Sequence, residues 1–242
     1  MGGLVITSEP LSTLGRRSCL IMLAGCAALS VSACAPSLPD YRYRLTVEVD
    51  TPDGMRSGSS VIQVASHVSS QYSLSPGDVT TQVTGEAVAV DLPGGKTLFA
   101  LLSKPGSAEG ANTYAFDALI PKPWIGWEEY VADVNALTRR RDVGVLPVKD
   151  WPMLVTFDNT DDPASVKGID PLDPANGLGS AMKIRRVTVQ VTRDGVTTGI
   201  EKRLKWLESQ HGQLLETKIS DPVSKRNLSV INEGSFSLRG FK

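Results

Sequence analysis

Hydrophobic and polar residues alternate without exception over residues 41–50. The hydrophobic positions are Tyr41, Tyr43, Leu45, Val47 and Val49. A period of two predicts a β-strand with one buried face. Residues 51–54, Thr-Pro-Asp-Gly, then predict a turn, because proline fixes φ and glycine adopts a positive φ without strain.

Several later segments also have strand patterns. A second strand is expected at 59–68, and residues 85–91 and 96–102 form a hairpin pattern around Leu-Pro-Gly-Gly. We therefore predict one antiparallel meander over residues 41–102. Further strands are expected at 152–157 and 183–192, with short alternating stretches such as 235–239 near the end of the chain.

The first segment with helical spacing follows Gly126. Trp127, Val131 and Val134 stand at i, i+4 and i+7, which predicts an amphipathic helix over 127–140. This helix would end in three consecutive arginines, residues 139–141, and cations are favourable near a helix C-terminus. A contact with anionic lipid is the alternative interpretation of this arginine run.

A second helix is predicted over residues 199–209. Ile200, Leu204 and Leu207 have the same spacing, and Thr198 with Glu201 matches the capping-box pattern at a helix start. All these elements together predict an α+β fold, mostly antiparallel β-sheet with two amphipathic helices. A single globular domain over 41–242 is the simplest organisation, and the loop near 103–113 is the alternative domain boundary.

The first 34 residues have the pattern of an export signal. Arg16 and Arg17 precede an uncharged apolar run over residues 18–31, which is typical of a secretory signal peptide. The segment ends in a small residue followed by Cys34, which resembles the lipobox of bacterial lipoproteins, where the cysteine carries the lipid. We therefore predict a signal peptide over 1–33 and a lipidated Cys34 with a short tether over 34–40.

Some details of this export signal stay open. Cys26 also follows a lipobox-like sequence, Leu-Ala-Gly, but little apolar sequence precedes it, so Cys34 is preferred. An ordinary signal peptide without lipidation is a further alternative, and the paired arginines raise twin-arginine export, although Sec export is preferred. Ala35, directly after the cysteine, is the residue type that the lipoprotein resemblance associates with the outer membrane, facing the periplasm.

Composition excludes two classes of function. The chain has 25 Lys and Arg against 26 Asp and Glu, a net charge of −1, so it lacks the basic excess of a nucleic-acid-binding protein. After residue 34, no apolar run approaches the ~20 residues of a transmembrane helix. The 3 cysteines all lie within the first 34 residues, so a chain cleaved before Cys34 forms no internal disulfide.

An acidic loop over Asp158–Asp173 is the candidate metal site of this sequence. Its carboxylates belong to Asp158, Asp161, Asp162, Asp170 and Asp173. Carboxylate oxygens are ligands that Ca²⁺ prefers, but the EF-hand pattern fails because Pro163 occupies the glycine position. The preferred interpretation is turn chemistry, with Asp162 as an N-cap and Pro163 at the first helical position. No cofactor is implied.

Aromatic and histidine side chains offer weaker candidates. Trp124 and Trp127 flank a helix start, where exposed indoles would stack on sugars, although burial in the core is preferred because Trp is usually largely buried. His67 and His211 are the 2 histidines, and no Gly-x-Ser-x-Gly nucleophile motif accompanies them. A hydrolytic triad is therefore disfavoured.

Three stretches carry a likeness that goes beyond periodicity: residues 43–62, 154–166 and 196–204. They resemble an uncharacterised lipoprotein-like family of proteobacteria, and this resemblance implies a Gram-negative envelope setting without adding a mechanism. The sequence therefore predicts a lipid-anchored envelope protein with a structural or interaction role, without catalysis. Its partners would be the membrane, through the anchor, and an envelope protein or peptidoglycan. The alternative is a glycan-binding or hydrolytic cell-wall lipoprotein that uses the Asp158–Asp173 loop or the Trp124/Trp127 loop.

Overall fold

A computed structural model describes most of the chain beyond residue 37. The described residues are 38–69, 74, 77–107, 110–122, 126–179, 181–210, 213–215 and 231–239. They all belong to one compact unit, Pro36–Lys242. The predicted signal peptide, Cys26 and Cys34 lie outside the described residues.

The larger of two antiparallel sheets contains six strands. In spatial order they are β10 (Ser237–Leu238), β3 (Val79–Glu86), β2 (Gly54–Val68), β1 (Tyr41–Thr51), β9 (Lys183–Thr192) and β6 (Val143–Val145). The predicted alternation in β1 is confirmed, since its hydrophobic side chains are buried and the intervening polar ones are partly exposed. The turn at 51–54 is also confirmed, with Gly54 at φ 103°. β2 begins five residues earlier than predicted.

The second sheet contains four strands, and it corrects the prediction of one meander over 41–102. Its order is β4 (Val88–Asp91), β5 (Thr97–Ala100), β7 (Leu154–Phe157) and β8 (Val166–Gly168). The predicted hairpin around residues 92–95 exists, but it belongs to this sheet. The chain leaves the first sheet after Glu86, and the Ala87 N–H donates to the Phe236 carbonyl instead of continuing β3.

Each face of the second sheet contributes to its own hydrophobic cluster. Val88, Val90, Leu98 and Ala100 pack toward the larger sheet, in the main core. Phe99, Leu101, Val155 and Phe157 lie in a second cluster with Trp206 and Phe236. Successive residues of β5 therefore lie in different hydrophobic clusters, because successive side chains of a strand point to opposite faces of the sheet. The larger sheet and the second sheet therefore pack against each other, and short turns cover the other face of the second sheet.

Helices cover the remaining part of the main core. They are α1 (Tyr114–Leu119), α2 (Trp127–Leu137) and α3 (Ala175–Leu178). α2 confirms the predicted helix, although it ends three residues before the predicted Arg140. The sequence prediction missed α1, which directly follows the segment near 103–113 that was predicted as a loop and a possible domain boundary. That loop is instead fixed to the core by tyrosines: Tyr43 donates its hydroxyl to the Ala111 carbonyl, and Tyr114 donates to the Ser103 carbonyl.

The predicted helix over 199–209 is wrong in its backbone. The segment forms two 3₁₀ turns, Ile200–Lys202 and Lys205–Glu208, separated by Arg203 and Leu204. The φ of −124° and ψ of 77° at Leu204 are not helical. Ile200, Leu204 and Leu207 are nevertheless buried, so the hydrophobic spacing identified the correct inward positions.

The predicted capping box at Thr198 and Glu201 is wrong as well. The residue before the first turn is Gly199, with φ 115°, and the first N–H groups of the turn donate to a side chain of another element. Glu86, at the end of β3, accepts hydrogen bonds from the Gly199 and Ile200 N–H groups, both at 2.9 Å. A long-range carboxylate therefore replaces the local cap, which no local sequence pattern could reveal.

Candidate functional site

The acidic loop does not gather its carboxylates around one point. Asp158 is paired with the Lys167 ammonium at 2.7 Å, and Asp161 lies 3.6 Å from the Lys205 ammonium. Asp162 Oδ1 accepts the Ala164 N–H at 3.0 Å. Within the described ranges, no group of three or more His, Cys, Asp or Glu side chains is placed to hold a metal ion.

Turn chemistry accounts for the composition of this loop. Residues Pro163–Ser165 form a 3₁₀ turn with Asp162 as its N-cap and Pro163 in the first turn, as predicted. Asn159 Oδ1 accepts the Asp161 N–H at 3.0 Å, and Asp170 Oδ1 accepts the Leu172 N–H at 2.8 Å. These are the local side-chain-to-backbone bonds for which Asp and Asn are favoured in turns.

Trp127 stands on the surface at the start of α2, so the preferred expectation of burial was wrong for this residue. Its side chain is 38% exposed, and the helix buries Tyr130, Val134 and Leu137 instead. The indole lies against Gly77, where a Cβ atom would be 2.7 Å from Trp127 Cδ1. Trp124 lies outside the described residues.

The histidines are not brought together with a nucleophile in the described part of the chain. His67 lies on β2, opposite Thr80 of β3, with its side chain exposed. His211 lies outside the described residues. The buried hydroxyls of Tyr43 and Tyr114 have their pKa raised well above the usual value by burial, so they act as hydrogen-bond donors at neutral pH.

A cleft of about 540 Å³ that the sequence did not predict lies beside α1, and we call it the Lys104 cleft. Its floor and walls combine apolar and charged side chains. They are Lys104, Thr113, Phe116, Asp117, Ile120, Pro121, Lys122, Pro147, Lys149 and Asp150. A volume in this range is typical of small-molecule sites.

Ion pairs order the charges of the Lys104 cleft. The Lys104 ammonium lies 2.7 Å from Asp117 Oδ2 and 3.9 Å from Asp150 Oδ1, so it stands between the two carboxylates. Thr113 donates its hydroxyl to the same Asp117 oxygen at 2.8 Å. Lys149 pairs with Asp150 at 2.7 Å. Both aspartates of the cleft are therefore bound to cations.

This arrangement differs from a pair of catalytic carboxylates. Glycoside hydrolysis needs one carboxyl group as an acid and a second as a base or nucleophile, with substrate between them. In the Lys104 cleft an ammonium group occupies that place. The residues come from three separate segments and follow no motif, which explains why the sequence did not predict this cleft.

Comparison with known proteins adds no relative. The sequence matches no protein-family model and no curated protein, and the structure matches no solved structure. The resemblance to a proteobacterial lipoprotein-like family therefore stays a prediction. Among the described residues, no helix is long and apolar enough to cross a membrane.

Proposed function

We propose that this chain is a lipid-anchored protein of the cell envelope, held by acyl chains on Cys34, whose folded body has a structural or interaction role rather than a catalytic one. The observation that carries the proposal is the order of residues 16–34: two arginines, an uncharged apolar run, and a small residue before a cysteine. By the lipoprotein resemblance, the alanine at position 35 implies the periplasmic side of the outer membrane as its location.

Cysteine usage supports the lipid anchor. All 3 cysteines precede residue 35, so cleavage before Cys34 leaves one thiol in the chain. An unpaired thiol is prone to oxidation outside the cytosol, and conversion to a thioether removes that reactivity. Each buried CH₂ of an acyl chain contributes ~0.8 kcal/mol, so two or more chains hold a protein at a membrane stably.

The carboxylates of the acidic loop and of the Lys104 cleft have structural partners. Asp158 and Asp161 are engaged by lysines, Asp162 caps a turn, and the Lys104 cleft holds its two aspartates in ion pairs. These carboxylates are used in structure, so none of them is left as a free acid or base facing a cavity.

The decisive experiment is metabolic labelling with a palmitate analogue in cells that express the full chain. We expect the protein to be labelled and to fractionate with membranes. Cys34→Ser should abolish the label and leave the precursor uncleaved, whereas the matched variant Cys26→Ser should be labelled and processed normally. Absence of label in the unmodified chain, or loss of label only in Cys26→Ser, would refute Cys34 as the anchor.

Binding of cell-wall glycan is a second candidate function, favoured by the exposed indole of Trp127. An aromatic ring on the surface provides a flat apolar face on which a sugar ring can stack. In the same part of the chain, Lys122 and Glu129 form an ion pair at 2.8 Å.

Calorimetry with soluble peptidoglycan fragments tests this second function. Measurable binding that Trp127→Ala removes, and that the matched aromatic substitution Trp127→Phe largely keeps, would support stacking. If the unmodified protein releases no heat with the fragments, or if Trp127→Ala binds equally well, the glycan-binding role is wrong.

A further inference from the structure

A second depression, of about 300 Å³, lies at the start of β1 and is rich in arginine. Its arginines are Arg42 in β1, Arg141 after α2 and Arg193 after β9. We call it the arginine pocket. Asp40, Tyr41, Gln63, Thr138, Val191 and Thr192 complete its lining. The fold thus places three arginines from distant parts of the sequence in the lining of one pocket.

The three guanidinium groups form no ion pair with a carboxylate anywhere in the described ranges. Arg42 donates to the Gln63 side-chain oxygen at 2.9 Å and to the Asp194 carbonyl at 3.3 Å. Arg141 donates to the Thr138 carbonyl at 2.9 Å. These acceptors are neutral, so the positive charges are not compensated by their direct partners.

Nearby acidic groups have other partners. Asp194 accepts from Arg44 at 2.6 Å, and Asp142 accepts from Arg140 at 2.6 Å. Asp40, which lines the pocket, accepts the Gln63 amide at 3.1 Å. One carboxylate therefore faces three arginines, which leaves the pocket with an excess of positive charge.

The position of the pocket relates it to the predicted anchor. Tyr41 lines the pocket, and Cys34 is seven residues earlier in the chain. Because an extended chain spans at most ~3.6 Å per residue, the seven residues from Cys34 to Tyr41 reach no farther than roughly 25 Å. A lipid on Cys34 would hold the arginine pocket near the membrane surface.

We propose that the arginine pocket binds the phosphate group of an anionic phospholipid in the membrane that holds the anchor. The planar guanidinium donates paired N–H groups that match phosphate oxygens. Anionic lipid attracts each arginine near the surface by ~1 kcal/mol, which is about fivefold per residue. This inference rests on the proposed lipid anchor, and it adds a second contact that would orient the body on the membrane.

Arginine-specific labelling of the full-length protein in lipid nanodiscs tests the inference. One set of discs contains phosphatidylcholine alone, and the other contains phosphatidylcholine with phosphatidylglycerol. A dicarbonyl reagent modifies free guanidinium groups, and mass spectrometry measures the rate at each residue. We expect phosphatidylglycerol to slow modification of Arg42, Arg141 and Arg193 about fivefold or more.

Arg56 is the internal control for this labelling. It forms no ion pair in the described structure, and it pairs with Val49, seven residues along β1 from Arg42, a separation of about 23 Å. Its rate should be equal in the two kinds of disc. Arg193→Ala should reduce the protection of the remaining two pocket arginines, whereas Arg56→Ala, with the same loss of charge, should not.

Each other outcome has a definite meaning. Equal rates in both kinds of disc, or equal protection of Arg56, would overturn the proposed lipid site. Protection by millimolar inorganic phosphate in phosphatidylcholine discs, matching that by phosphatidylglycerol, would overturn the assignment to lipid and identify a free-phosphate site. The mass of the N-terminal peptide reports acylation of Cys34 in the same sample, so failure of the anchor is distinguished from failure of the pocket.

Discussion

Glu86 is the residue whose replacement tests most directly how the second core is closed. Its side chain is only 5% exposed, and its two oxygens accept the N–H groups of Gly199 and Ile200. Those bonds hold the turn segment that carries Leu204 and Trp206 over the second sheet. Glu86→Ala removes both acceptors, and Glu86→Gln keeps one of them.

The expected loss of stability follows from the number of N–H donors that each substitution leaves without an acceptor. An unsatisfied buried polar group costs about 1–3 kcal/mol, so Glu86→Ala should lower the free energy of unfolding by roughly 3 kcal/mol. Glu86→Gln should lower it by about 1 kcal/mol, because its amide NH₂ group cannot accept the second N–H. The second variant is close in size and shape, so its cost isolates hydrogen bonding from packing.

The pH dependence gives an independent prediction from the same residue. Burial raises the pKa of Glu86 above its usual value of 4.5, although the two N–H groups act in the opposite direction. The folded protein then holds the proton more tightly than the unfolded chain. The stability from Glu86 is therefore fully present below about pH 4.5 and decreases as pH rises through the raised pKa. Glu86→Gln should lack this dependence.

Urea unfolding monitored by tryptophan fluorescence is the assay, because Trp206 lies on the affected segment. The measurement is made for the unmodified protein and both variants from pH 4 upward. Our interpretation is refuted if Glu86→Ala unfolds within 0.5 kcal/mol of the unmodified protein, a change ordinary for a surface site. It is also refuted if the unmodified protein gains stability relative to Glu86→Gln as pH rises, since bonding to the N–H groups would then outweigh burial.

Three further predictions concern single contacts. Gly58→Ala should lower the free energy of unfolding in urea by about 1–3 kcal/mol, because its Cβ would lie 2.1 Å from the Ala89 carbonyl oxygen. Gly195→Ala is the control, because the space around Gly195 is open, and it should change stability by less than about 0.5 kcal/mol. Tyr43→Phe should cost about 1–2 kcal/mol by the same measurement, since it leaves the buried Ala111 carbonyl without its hydroxyl donor. The hydrogen bonds of Arg203 lower the pKa of Asp91, so the stability that Asp91 contributes is present above pH 3.8 and is lost as pH falls through the lowered pKa. Because the pair is largely exposed, Asp91→Asn should lower the free energy of unfolding by less than about 1 kcal/mol at pH 7. The same variant should lose less stability than the unmodified protein as pH falls below 3.8.

Strands with one buried face were predictable here because burial leaves a period of two in the sequence. β1 alternates as expected, and α2 begins at the predicted residue. β9 alternates less regularly, because Arg185 and Arg186 are both exposed where its register with β1 shifts. What failed was the assignment of strands to sheets. A local pattern predicts which side of a strand is buried, but it does not predict which sheet or helix covers that side. The sequence therefore did not predict that β3 and β4 belong to different sheets.

Sites assembled from distant residues escaped prediction for a related reason. Lys104, Asp117 and Asp150 meet only because α1 packs beside the segment that ends in Asp150. The acidic loop was the predicted candidate metal site because its carboxylates are close in sequence, yet turn geometry directs them to different partners. Among these residues, proximity in the chain was a poor guide to proximity in space.

The arginine pocket differs from the outer face of the larger sheet in the partners of its charged side chains. On the outer face of the larger sheet, Arg186 binds Glu48 with two hydrogen bonds of 2.8 Å, and Arg185 binds Asp50 at 2.9 Å. These cross-strand pairs neutralise that face locally, so it provides little net field to attract a charged partner. Both faces of the second sheet are occupied by its two cores. The arginine pocket, at the end of β1 nearest Cys34, keeps its positive charges without carboxylate partners in the described structure. The proposed binding of anionic phospholipid would use these unpaired charges.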